Sequence, residues 1–96
     1  MTANPATLEK IVSIIRSEVT KYLPTEFVVH DVTAESRPGP DDEDYVHIRV
    51  ILEDDHPKLD QQVLMRFRRE MGDLFEQLEI PHNPNISYTD RSDLTV

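Results

Sequence analysis

The sequence predicts an α+β fold, a single αββαβ domain in which two helices pack on one face of a three-stranded mixed sheet. Two long segments have apolar residues at helical spacing, two segments between them have strand composition, and a short alternating segment follows the second helix. The 96 residues, 38% of them hydrophobic, suit one hydrophobic core. We place the structured core at about residues 5–89 and expect residues 90–96 to fray.

The first helix is predicted from Pro5 to Leu23. Asn4 is a good N-cap, and a proline at the first helical position loses nothing, because its N–H would have no partner within the helix. Pro24 ends the helix. Apolar side chains recur at helical spacing along it: Leu8, Ile11, Val12, Ile15, Val19, Tyr22 and Leu23.

Two strands are predicted next, at residues 26–35 and 44–53, and they form an antiparallel hairpin around a solvated acidic loop at residues 36–44. Neither face of the first strand is cleanly polar, so the alternation leaves open which of them meets the core. In the second strand, the apolar face is Val46, Ile48, Val50 and Leu52. The opposite face is Tyr45, His47, Arg49, Ile51 and Glu53.

The second helix is predicted from about His56 or Pro57 to Leu78, because Pro57 suits the first helical position and the preceding acids favour the positive end of the helix dipole. Its apolar residues fall within an arc of roughly 160°: Leu59, Val63, Leu64, Phe67, Met71, Leu74, Phe75 and Leu78. Gly72 interrupts the pattern and marks either a bend or the close approach of another backbone. A third strand follows at residues 85–89.

Two helices cover only one face of a three-stranded sheet, so the other face is left open. A right-handed crossover makes the third strand parallel to one of its neighbours. The open face then presents Tyr45, His47, Arg49 and Ile51, with Tyr45 and Ile51 in contact with water. A surface of this mixture predicts a docking site for a protein partner or for a second copy of the chain.

The charge and the composition of the chain exclude several classes of function. The formal net charge of -9 opposes binding to phosphate backbones, and residues 35–55 hold eight acids against two arginines, which favours a basic protein partner. The absence of cysteine excludes disulfides and thiolate catalysis, and two glycines are too few for a phosphate-binding loop. Without a targeting signal, a membrane span or a nucleophile motif, we expect a cytoplasmic protein that is not an enzyme and needs no cofactor.

Two residue clusters suggest alternatives. Arg66, Arg68 and Arg69 form a basic cluster suited to nucleic acid, although Arg66 and Arg69 have acidic residues four positions later. His30 and His47 would lie near each other across the hairpin and, with an acidic side chain, would form a divalent-metal site.

From Leu8 to Leu94 the chain resembles the ribosome-binding factor A family, whose fold is a type II KH-like domain. The resemblance lies in the first helix, the hairpin and the segment at residues 84–92, and Gly72 takes the place of the glycine at that family's interrupted helix. It implies an RNA- or ribosome-associated function.

A second resemblance is to the cytosolic C-terminal domain of cation diffusion facilitators. Residues 29–32 resemble the first strand of that domain, and residues 45–50 resemble its second. The resemblance implies a metal-responsive dimerisation domain. That family's further histidines are replaced here by Gln62 or Val63 and by Ser87 or Tyr88.

The leading hypothesis from the sequence is a small acidic, non-enzymatic interaction module. It binds a protein partner, or itself, through the open face of its sheet. The RNA-associated KH-like domain and the metal-responsive dimer remain the two alternatives.

Overall fold

The structure is a computed structural model that describes residues 5–39, 44–80 and 84–94. The elements, in chain order, are α1 (Pro5–Tyr22), β1 (Val29–Pro38), β2 (Asp44–Leu52), α2 (Gln61–Gln77), β3 (Pro84–Asp90) and a short 3-10 helix (Arg91–Leu94). The predicted α+β class and αββαβ order are confirmed. The sheet order is β1-β2-β3, with β2 antiparallel to β1 and parallel to β3.

Both helices pack on the face of the sheet that presents the apolar residues of β2, as predicted. The fully buried positions of α1 and α2 follow helical spacing: Ile11, Ile15, Val19, Phe67, Met71 and Phe75. The rings of Tyr22 and Phe67 meet edge to face with centroids 5.1 Å apart, which joins the two helices above the sheet. Burial of these residues together with the β2 face forms the core.

A β-bulge in β1 explains why the alternation of this strand is ambiguous. Val29 pairs with Leu52 and Asp31 pairs with Ile51, so one extra residue of β1 lies between the two pairs. Because a bulge adds one residue, the side chains that follow it change faces. The core-facing residues are therefore odd-numbered before the bulge and even-numbered after it: Phe27, Val29, Val32 and Ala34.

The hairpin loop is shorter than predicted. β1 continues to Pro38, whose pairing partner is Asp44 at the start of β2, so residues 36–38 belong to the strand. The acidic residues 41–43 of the predicted loop lie outside the described residues.

The prediction that α2 begins at His56 or Pro57 is wrong. The helix begins at Gln61, because Asp60 takes the N-cap position and its carboxylate accepts a hydrogen bond of 2.9 Å from the Gln62 amide. His56 instead stacks on Phe27, with ring centroids 5.1 Å apart, and contacts Asp90 at the end of β3 through Nε2 at 2.5 Å.

The contacts of His56 make it a clamp between the β2–α2 connection and β3. Nδ1 lies 2.7 Å from the Pro57 carbonyl, so both ring nitrogens face acceptors. These two hydrogen bonds raise the pKa of His56. The bond to the Pro57 carbonyl has the larger effect, and the bond to Asp90 has the next largest.

Gly72 does not interrupt α2, which runs without a break to Gln77. A Cβ atom added at Gly72 would meet nothing within 4 Å. The helix ends in a Schellman motif. The Ile80 amide donates a hydrogen bond of 2.8 Å to the Phe75 carbonyl, and the Glu79 amide donates one of 3.1 Å to the Glu76 carbonyl. Glu79 occupies the left-handed position of this motif with φ 58°.

The end of the chain also differs from the prediction. Residues 91–94 form the 3-10 helix where a frayed tail is predicted, while residues 95 and 96 lie outside the description. Within residues 5–39, 44–80 and 84–94, neither helix combines the length and the apolar character needed to cross a bilayer.

Candidate functional site

The sheet face that is turned away from the helices, here called the open face, is built in rows by the strand register. Its central row is Thr33, Arg49 and Ser87, and the next row is Glu35, His47 and Asn85. The outer row pairs Arg37 with Tyr45, and at the other end Ile51 pairs with Asp31 and Thr89. The predicted residues Tyr45, His47 and Arg49 therefore lie in one line along the middle strand.

The surroundings of Ile51 contradict the expectation for the open face. Only 5% of its surface is exposed, so the prediction that it stands in water as an apolar anchor is wrong. Alternation along β2 assigns Ile51 to a face but does not determine how far the rest of the fold covers it. Ile51 already has its apolar burial and has little left to gain from a partner.

Arg49 occupies the centre of the open face, flanked by the small hydroxyl side chains of Thr33 and Ser87. The residue is half-buried, and no carboxylate among the described residues forms an ion pair with it. Arg37, by contrast, donates from Nε to Glu35 at 2.7 Å. Arg49 thus carries a charge that the described part of the chain leaves uncompensated.

His47 lies beside Arg49, and its charge state follows from its position. Partial burial lowers the pKa of His47, and the positive charges of Arg37 and Arg49 lower it further. The ring is therefore neutral at pH 7. Its Nε2 lies 3.4 Å from the Ser87 hydroxyl, a weak hydrogen bond.

A carboxylate lies opposite the histidine of the serine–histidine contact. A catalytic histidine of this kind is oriented by a carboxylate, and the one opposite His47 in register is Glu35. Glu35 is engaged by Nε and by a terminal nitrogen of Arg37 instead.

The rim of the open face, near the bulge, holds a small charge network. Glu53 lies 2.8 Å from Nδ1 of His30 and 3.4 Å from the Arg91 guanidinium. The sequence does not predict Arg37, Ser87 or Arg91 on this face, because their place depends on the register and on the return of β3. Of the three, only Ser87 lies in a predicted strand, while Arg37 lies in the predicted loop and Arg91 in the predicted frayed tail.

The structure does not bring His30 and His47 together. His47 pairs with Glu35, five residues along β1 from His30, which is about 17 Å at 3.3 Å per residue. Among the residues that the structure describes, no group of three or more histidine or acidic side chains is placed to hold a metal ion. The expectation that the two histidines lie close together is therefore wrong.

The arginine cluster Arg66, Arg68 and Arg69 lies on the exposed surface of α2, on the opposite side of the molecule from the open face. The ion pairs expected with Glu70 and Asp73 are not formed in the described structure. The cluster is thus a solvated basic patch on an acidic protein.

No protein-family model, no curated protein and no solved structure matches this chain.

Proposed function

We propose that this protein is a non-enzymatic interaction module that docks a protein partner through the open face of its sheet. The observation that carries the proposal is Arg49, half-buried in the middle of that face and without a carboxylate partner in the described structure. Arginine and tyrosine are the residue types that most often supply binding energy at the centre of an interface. Arg49 and Tyr45 lie on the same face of β2, four residues apart.

The charge distribution indicates the kind of partner. The centre of the face is positive through Arg49, while the region at residues 35–55 is strongly acidic. A basic protein fits this arrangement when it places a carboxylate or carbonyl oxygen against Arg49 and its cations against Glu35 and Glu53 on the same face. Opposite signs at the centre and around it also fix the orientation of the bound partner.

The proposal is tested by capture with matched charge reversals. Arg49→Glu and Arg66→Glu change the net charge equally, but Arg66 is exposed on α2, away from the open face. We expect immobilised wild type and Arg66→Glu to retain the same cellular proteins, and Arg49→Glu to lose them. Equal retention by all three would overturn the assignment of the open face, and loss by both variants would show that only net charge matters.

The alternative that a specific observation favours is RNA contact through Arg66, Arg68 and Arg69. In its favour are the three unpaired guanidinium groups on one exposed helix and the resemblance to a KH-like domain. Against it stands the net charge of -9, which opposes the counterion release that drives such binding. Submicromolar RNA affinity at physiological salt that is lost in Arg68→Glu would establish this alternative.

A further inference from the structure

The two edges of the sheet differ in how they are protected against pairing with another strand. β1 carries the bulge next to Val29 and the charged residues Glu35 and Arg37, and it ends at Pro38. Bulges, charges and prolines are the features that prevent edge strands from pairing. β3 is the opposite edge, and its residues 85–89 (Asn-Ile-Ser-Tyr-Thr) carry no charge.

A groove with both apolar and polar lining lies directly beside the β3 edge. It has a volume of about 350 Å³ between α2 and β3, and its apolar lining is Leu59, Leu64, Met65, Ile86 and Tyr88. Met65 is 70% exposed, the highest value for a large hydrophobic residue in the described structure. Burial of the other side of Tyr88 raises the pKa of its hydroxyl to about 12. The helix side of this edge thus presents apolar surface that the described part of the chain does not cover.

We propose that β3 pairs antiparallel with β3 of a second copy of the chain, about a twofold axis at Ser87. The pairing makes one six-stranded sheet, and the two grooves meet above the seam. Such an interface is isologous, with the same patch contributed by both copies. The inference rests on the backbone edge of β3 and on the groove, not on Arg49, so it does not depend on the proposed function.

The pattern of β3 is what self-pairing requires. Antiparallel pairing about Ser87 places Ile86 opposite Tyr88 of the second copy, on the helix side, and Asn85 opposite Thr89 of the second copy, on the open side. Apolar residues therefore meet apolar residues on the helix side, and polar residues meet polar residues on the open side. The nearest charge on the strand, Asp90, falls beyond these pairs and is already bound to His56.

The interface also avoids the acidic character of the chain. A protein of net charge -9 repels its own copies, so self-association needs a surface without like charges facing each other. Residues 85–89 of the β3 seam carry no charge, and the meeting grooves bring only the Arg68 side chains of the two copies to the same side of the seam. We therefore expect the association to strengthen when salt screens the overall repulsion.

The test uses two double variants that differ only in the sign of one introduced charge. Asn85→Lys with Thr89→Lys places lysines opposite lysines in both symmetric pairs of the seam. Asn85→Glu with Thr89→Lys places opposite charges there and leaves the net charge at its wild-type value. By sedimentation equilibrium we expect a wild-type dimer, a dissociation constant raised at least about tenfold in the first variant, and no loss of affinity in the second. Circular dichroism reports whether each variant retains the fold.

Two results would overturn the inference. One is a wild type that remains monomeric at millimolar concentration, and the other is equal affinity of both double variants. A third variant, Met65→Glu, tests the groove, because this exposed residue is free of intramolecular packing demands and its substitution should also weaken the dimer. Arg49→Glu should leave the dimer unchanged while it abolishes partner capture, which separates this proposal from the proposed function.

Discussion

Replacing Phe67 by alanine removes the aromatic side chain at the centre of the contact between α2, α1 and the sheet. Phe67 is 1% exposed and is among the largest fully buried side chains. Its ring packs edge to face against the ring of Tyr22, with centroids 5.1 Å apart. Truncation of a buried phenylalanine costs about 3–5 kcal/mol, from lost transfer free energy and from the cavity left behind. A domain of this size has about 5–15 kcal/mol of stability in total, so the variant should retain only part of it.

Urea unfolding followed by circular dichroism measures this loss. With a slope of about 1–3 kcal/mol per molar urea, the midpoint should fall by roughly 2 M. Arg66→Ala, at the exposed neighbouring position, is the control and should stay within about 0.5 kcal/mol of wild type. A loss below about 1 kcal/mol in Phe67→Ala would refute the core assigned to α2.

Three further predictions concern α2 and the His56 clamp. Gly72→Ala should stabilise the protein by about 0.5–1 kcal/mol, because the added Cβ meets no atom within 4 Å and alanine favours the helix; a destabilised variant would mean that this space is filled. Glu79→Gly should raise the free energy of unfolding by about 1 kcal/mol, because glycine adopts the left-handed φ of 58° without strain; an unchanged unfolding midpoint would argue against the Schellman end. Because the pKa of His56 is raised in the folded state, the contribution of His56 to the free energy of unfolding is fully present below about pH 6.5 and is lost as the pH rises through the folded-state pKa. The stability difference between wild type and His56→Gln should therefore shrink between about pH 5.5 and 8.5. A difference that grows over this range would contradict the role of His56 as a clamp.

The helices and the middle strand could be predicted from the sequence because their signals are local. Ile11, Ile15 and Val19 repeat at helical spacing, and β2 alternates without interruption, so one helix face and one strand face are determined by periodicity alone. The predicted start of α2 rests on Pro57 and the acids before it, and it lies too early in the chain. The cap formed by Asp60 prevails in the structure.

The parts that could not be predicted depend on the pairing between strands. The bulge next to Val29 changes the faces of β1, and no residue type in the sequence marks its position. The burial of Ile51 and the weak contact of Ser87 with His47 both depend on which strands flank β2 and in which register. Alternation predicts on which side of a strand a residue lies, but not how much its neighbours cover it.

Hydroxyl-radical footprinting of the complex with a captured partner tests the central claim, that the open face is the docking surface, most directly. Tyr45 and His47 both react with the radical and are both half-buried on that face, while Tyr22 lies on the helix side as an internal reference. We expect labelling of Tyr45 and His47 to fall on binding and labelling of Tyr22 to stay unchanged. Protection of Tyr22 with unchanged labelling of Tyr45 and His47 would contradict it.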